Sequence, residues 1–270
     1  MTDPATPPRR SPPRFVPEGI QAPTGVVCAG RREARQGGWR GVLAPLGAWL
    51  VLAGFLSPAV GAEVRGAPVG WARLITPNTP VTRHSVQDPR MVDFIRSQTS
   101  LNIEPGWHAV TPDQLDQLCA YPFIYVKELD RISAPGHLRN LQEYLRRGGF
   151  VCVDPCVNGL TPDERADVAT RYGRQFMRMI PGCTVRELPD DHEIFRCFFA
   201  VNVDDLFTPD MIRRGAIRPA HIGLRGVFLG ERIIAVISIS GLECGWPETP
   251  QRVPGCMKLI VNTYVYAMTH

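Results

Sequence analysis

From Val69 onward, apolar residues come in short runs separated by longer segments in which they recur every three or four positions. Val69–Ile75, VGWARLI, predicts a first strand, and PRMVDFIRSQT over Pro89–Thr99 carries Met91, Val92, Phe94 and Ile95 at helical spacing. Thr111-Pro112-Asp113 pairs a capping residue with proline at the first turn and predicts a second helix running through Leu115 and Leu118. Tyr121–Val126, YPFIYV, is rich in aromatic and β-branched residues and predicts a central strand. In HLRNLQEYLRRGG, Leu138, Leu141, Tyr144 and Leu145 form one stripe that Gly148-Gly149 stops.

FVCVD follows, apolar on both faces, as a strand covered by helices on both sides should be. Thr161-Pro162-Asp163-Glu164 predicts a capped helix to about Met179, with Val168, Tyr172 and Phe176 facing inward. Residues 184–188 predict a further strand, and Pro254–Met268 a final helix with Met257, Ile260, Val261, Tyr264 and Val265 inward. Between them, GVFLGERIIAVISIS has two apolar runs around Gly230-Glu231 and predicts an antiparallel hairpin, expected at the periphery because Arg225, Glu231 and Arg232 surround its turn. Strands and helices alternating in such short units imply an α/β fold: a mostly parallel sheet with right-handed crossovers, plus the hairpin.

The first 62 residues differ in kind. MTDPATPPRRSPPRFVPEGIQAPTG has too few apolar residues to build a core, and the apolar run Val42–Leu56 follows Arg40 and precedes the small residues Ala59-Val60-Gly61-Ala62. That order predicts a signal peptide cleaved near Ala62, hence an exported periplasmic or secreted chain whose residues 63–270 form a single α/β domain. The alternative is a permanent anchor, for which the run is shorter than the ~20 residues a spanning helix needs. Membrane contact is otherwise not expected.

Charge follows the same division. The chain has 30 basic and 26 acidic residues, and the leader alone holds seven arginines against three acids, so residues 63–270 are balanced at 23 of each. A neutral domain offers no electrostatic footprint for nucleic acid. Seven cysteines follow the leader (Cys119, Cys152, Cys156, Cys183, Cys197, Cys244 and Cys256), an odd number without the regular spacing of a stapled scaffold. Most are expected to act as small apolar packing residues.

Several phrases together resemble the bacterial domain of unknown function 4159: RSQTSLNIEP, YPFIYV, LRNLQEYLRRGGFVCVD, DHEIF, the Gly245-Trp246 pair and VNTYVYAMTH. The resemblance implies a three-layer sandwich similar to flavodoxin and to class I glutamine amidotransferases, without implying an activity. Amidotransferase-like enzymes carry a nucleophilic cysteine on a tight elbow after a central strand. The matching turn here, Lys127-Glu128-Leu129-Asp130, has neither cysteine nor serine. Members often carry two adjacent acids after the GGF strand, whereas here Asp154 is followed by Pro155.

Ligands of open α/β sheets sit at the carboxyl ends of the strands. Asp154 and Cys156 follow FVCV, Asp191 and His192 follow the 184–188 strand, and Glu243, Cys244 and Trp246 follow ISIS. These three loops are expected to converge on one cleft, with Asp154 and His192 on opposing sides and Trp246 exposed. A Cys156/His192 pair oriented by Asp154 or Glu243 has the residue types for nucleophilic catalysis. The same residues also serve as turn caps and packing groups, and the sequence favours that use.

No metal site is expected, since Cys152-x₃-Cys156 lacks a second close ligand pair. No cofactor is expected either, because the loop after the first strand, Thr76–Pro80, spends two positions on prolines that offer no amide to a phosphate. The sequence therefore favours a non-catalytic domain that binds a small ligand or a periplasmic protein partner. The alternatives are an amidotransferase-like or hydrolytic enzyme with its cleft at Asp154, Cys156 and His192, and a purely structural component of a periplasmic assembly.

Overall fold

A computed structural model describes residues 67–76, 87–157, 159–206, 223–246 and 253–270. The apolar run at 42–56, the cleavage point at Ala62 and positions 77–80 of the first loop lie outside the described residues. Among those residues no helix is long and apolar enough to cross a membrane.

The chain is an α/β protein with one seven-stranded mixed sheet and five α-helices among the described residues. In chain order these are β1 (Val69–Leu74), α1 (Asp88–Gln98), β2 (Ile103–Val110), α2 (Leu115–Cys119), β3 (Phe123–Val126), α3 (Pro135–Arg146) and β4 (Phe150–Val153). Then come α4 (Pro162–Met179), β5 (Cys183–Glu187), β6 (Leu224–Leu229), β7 (Arg232–Ser238) and α5 (Pro254–Thr269). The sheet order is β2-β1-β3-β4-β7-β6-β5. The first five of these run parallel, while β6 is antiparallel to both β7 and β5.

Local chemistry accounts for the boundaries. Thr161 caps α4 by a reciprocal exchange in which its hydroxyl accepts the Glu164 N–H and the Glu164 carboxylate accepts the Thr161 N–H. Gly148 takes φ +109° after α3, and the Tyr144 ring lies so close to Gly149 that a Cβ there would sit 2.3 Å from it. Gly230 turns β6 into β7 at φ +63°, the left-handed conformation expected of a tight hairpin.

Side-chain alternation divides the core between the two faces. Trp71, Phe123, Tyr125, Phe150 and Cys152 pack with Met91 and Ile95 of α1 and with Tyr264 of α5. Ala72, Ile124, Val126, Val151 and Val153 pack with Leu141 and Tyr144 of α3 and Phe176 of α4. The β4 strand is central, as its two apolar faces predict.

The hairpin is not peripheral. β7 pairs directly with β4, and Ile234–Ile237 are fully buried. Glu231 lies in the turn and Arg232 at the start of β7, while Arg225 is paired on both sides, with Glu187 of β5 and Ile237 of β7, so these charges did not mark an edge. The true edges are β5 and β2. β2 was not expected, because Glu104-Pro105-Gly106 interrupts its apolar pattern. An irregularity between Val69 and Trp71 accommodates that interruption, pairing Val69 with Ile103 but Trp71 with Trp107. An edge position is where a strand tolerates proline. The second helix is also shorter than expected, starting at Leu115 rather than Pro112.

Candidate functional site at the carboxyl edge of the sheet

After β1 the chain adds β2 on one side and then returns to place β3 on the other, so the winding reverses between β1 and β3. Crevices in open α/β sheets form at the carboxyl end of such a reversal. Arg73 and Tyr125 flank it in direct register, and Tyr125 is in turn in register with Cys152 of β4. Period-two alternation therefore puts all three on one face.

Arg73 grips Asp88, in the first turn of α1, with two bonds: Nε to Oδ2 at 2.6 Å and Nη2 to Oδ1 at 3.0 Å. The Trp71 indole N–H donates to the same carboxylate at 2.7 Å. Arg73 Nη2 also reaches Glu243 Oε2 at 3.2 Å, and its guanidinium lies 4.6 Å above the Tyr125 ring. Lys127, just past β3, places Nζ 3.2 Å from Glu243 Oε1.

Asp154 takes the opposite side of the cluster. Its Oδ1 accepts the Leu242 N–H at 2.7 Å, and its Oδ2 accepts the Glu243 N–H at 2.8 Å and the Tyr125 hydroxyl at 2.6 Å. That hydroxyl is also 3.2 Å from Glu243 Oε2, so Tyr125 stands between two carboxylates. The loop after β7 can present its amides because Gly241 adopts φ +63° immediately before them. Two carboxyl groups from different segments, Asp154 and Glu243, therefore meet at the Tyr125 hydroxyl.

All of these side chains are buried, and Asp154 is 0 % exposed. Burial pushes the Asp154 carboxyl above its usual range, with the Tyr125 hydroxyl and the Glu243 amide pulling the other way. Burial raises Tyr125 as well, reinforced by Asp154 and Glu243, so its hydroxyl keeps its proton. Arg73 loses to burial but gains more from Glu243, Asp88 and Tyr125, and stays charged. Three carboxyl groups and two basic side chains therefore meet with little exposure to solvent.

Of the six residues picked from the sequence, four belong here: Asp154, Cys156, Glu243 and Trp246. Cys156 is exposed and its thiol hydrogen-bonds with that of Cys244. Trp246 is not exposed as expected but 2 % accessible, packed 6.1 Å from Trp71 and 5.4 Å from Tyr125 between ring centroids. The reason is that the turn at 242–245 folds it back into the aromatic cluster under the charges. Its indole N–H finds no acceptor among the described residues.

Asp191 and His192 do not join the cluster. Asp191 is exposed. His192 Nδ1 accepts the Ile194 N–H at 3.2 Å, and its ring packs 5.9 Å from Tyr266. Tyr266 in turn packs on Phe150, at the amino end of β4, whereas Asp154 follows the carboxyl end. The chain after β5 therefore leads back along the sheet, and the Asp154/His192 cleft and the Cys156/His192 pair do not form.

Arg73, Asp88, Tyr125 and Lys127 were missed. A trace of them was readable, since Arg73 interrupts an otherwise apolar strand and a charge there must find a partner. Among the described residues no group of three or more His, Cys, Asp or Glu is arranged to hold a metal ion.

No curated protein matches the chain. Residues 72–268 match the domain of unknown function DUF4159, which spans both sides of the charged cluster from β1 to α5, and the chain belongs to that family.

Proposed function

We propose that the protein is an exported, non-catalytic domain of the three-layer, flavodoxin-like type that binds a small ligand at the carboxyl edge between β1 and β3. The observation that carries this reading is the convergence of Arg73, Asp88, Tyr125, Lys127, Asp154 and Glu243, from separate segments, at the winding reversal. Removing a charge from water costs several kcal/mol even after relaxation, so a buried network of this size at a ligand-binding edge is a candidate site on physical grounds. The parallel strand order 2-1-3-4 is that of doubly wound domains that use this position. The buried Trp246 N–H, lacking an acceptor among the described residues, marks a point where a ligand oxygen would be favoured.

Binding is preferred to reaction because the carboxylates are already engaged. Asp154 accepts three hydrogen bonds, and Glu243 faces Arg73, Lys127 and Tyr125. Neither is free to take a substrate proton. His192, the base that a thiol mechanism requires, lies against Tyr266.

Thermal-shift assay of the full chain against small carboxylic acids, amines, sugars and nucleotides tests the reading, alongside turnover of p-nitrophenyl esters and γ-glutamyl amides. The expected result is stabilisation by one chemical class that Lys127→Met abolishes, with no turnover above background. Hydrolysis that disappears in Asp154→Asn or Cys156→Ser would establish the enzyme reading instead.

A further inference from the structure

The loops after β4 and β7 are bound to each other twice over. The Leu242 and Glu243 amides hold the Asp154 carboxylate, and Gly241 approaches so closely that a Cβ on it would lie 2.7 Å from Val157 Cγ2, 3.8 Å from the Pro155 carbonyl oxygen and 3.7 Å from Cys244 Sγ. At this junction the Cys156 and Cys244 thiols are in hydrogen-bond contact, and neither is in a disulfide. Cys156 is exposed, while Cys244 is partly covered.

From this geometry we infer that Cys156 and Cys244 are a thiol–disulfide redox pair, oxidised by a disulfide-bearing oxidant to a bond that ties together the loops carrying Asp154 and Glu243. The inference stands on the two sulfurs and their loops, independently of any ligand at the charged cluster.

Accessibility fixes the order of events. Cys156 is exposed and Cys244 only partly so, which makes Cys156 the sulfur that an external disulfide reaches first. The exposed Cys156 sulfur, as thiolate, attacks one sulfur of the oxidant; the oxidant's S–S bond breaks, one thiolate leaves, and a mixed disulfide forms on Cys156. Cys244 then gives its proton to solvent and attacks the Cys156 sulfur, expelling the second thiol. Two cysteine thiols are oxidised and one external disulfide is reduced to two thiols. Cys152 and Cys256 are buried, which keeps both out of reach of an external disulfide.

The test equilibrates the full chain across a ladder of reduced-to-oxidised glutathione ratios, quenches with acid, alkylates and maps peptides without reduction. The expected product is a Cys156 peptide joined to a Cys244 peptide, reversed by dithiothreitol, with the oxidised form melting about 5–10 °C higher. Cys244→Ser should halt at the first step and accumulate glutathione on Cys156, and Cys156→Ser, at an exposed position, should leave Cys244 unmodified. If wild type and Cys244→Ser accumulate the same mixed disulfide, or if Cys156 bridges to any other cysteine, the inference is overturned.

Discussion

Tyr125 makes the site's composition intelligible residue by residue. Its hydroxyl donates to Asp154 and adjoins Glu243, so it is the group that lets two buried carboxyl groups approach each other. Tyr125→Phe should cost about 1–3 kcal/mol by chemical denaturation, the penalty for leaving a buried acceptor without its donor. Asp154 sets a pH dependence of definite sign. Its folded pKa is raised by burial above the unfolded value, so the folded state holds the proton more tightly. Its contribution to stability is therefore full at low pH and is lost as pH rises from the unfolded value, near 4, through the folded one. Melting temperature followed against pH should show this decline in wild type and a smaller one in Asp154→Asn, the remainder belonging to Asp88, whose carboxyl burial also raises. His192 behaves in the opposite sense: burial lowers its pKa, so the neutral ring that accepts the Ile194 N–H is favoured, and its contribution is lost as pH falls from the unfolded value near 6.5 through the lower folded one.

At the scale of elements, legibility followed the strength of local chemistry. α4 was readable to within a residue because Thr161, Pro162 and Glu164 specify its start, and Thr161→Ala should cost about 1 kcal/mol, measured by urea denaturation. β4, α3 and α5 were readable from periodicity alone. β2 was not, since an edge strand with a proline and an irregular register carries no clean alternation. The hairpin was read correctly as a hairpin but assigned to the wrong place. Strand order depends on which apolar face meets which neighbour, and charges at a turn say nothing about the strands on either side of it.

For the molecule as a whole, half of the candidate site could be read and half could not. Asp154, Cys156, Glu243 and Trp246 were found because each follows an apolar strand, and strand ends are where open sheets expose their chemistry. Arg73, Tyr125 and Lys127 were hidden because their roles arise from register across β1 and β3, separated in sequence by β2 and two helices. Asp191 and His192 were chosen on the same strand-end rule, which fails for β5 because the chain beyond it turns back toward Tyr266 and His270.

The central claim, that the carboxyl edge between β1 and β3 is a binding site, is tested most directly by amide chemical-shift mapping of the isotope-labelled chain with the small acids, amines, sugars and nucleotides of the thermal-shift panel. The account predicts that shifts from one chemical class concentrate in residues 73–76, 125–127, 154–157 and 241–246 and vanish in Lys127→Met. Shifts confined to the loop at Asp191 and His192, or to the groove between α3 and α4 at Leu138, Arg171 and Arg178, with the β1/β3 edge silent, would contradict it.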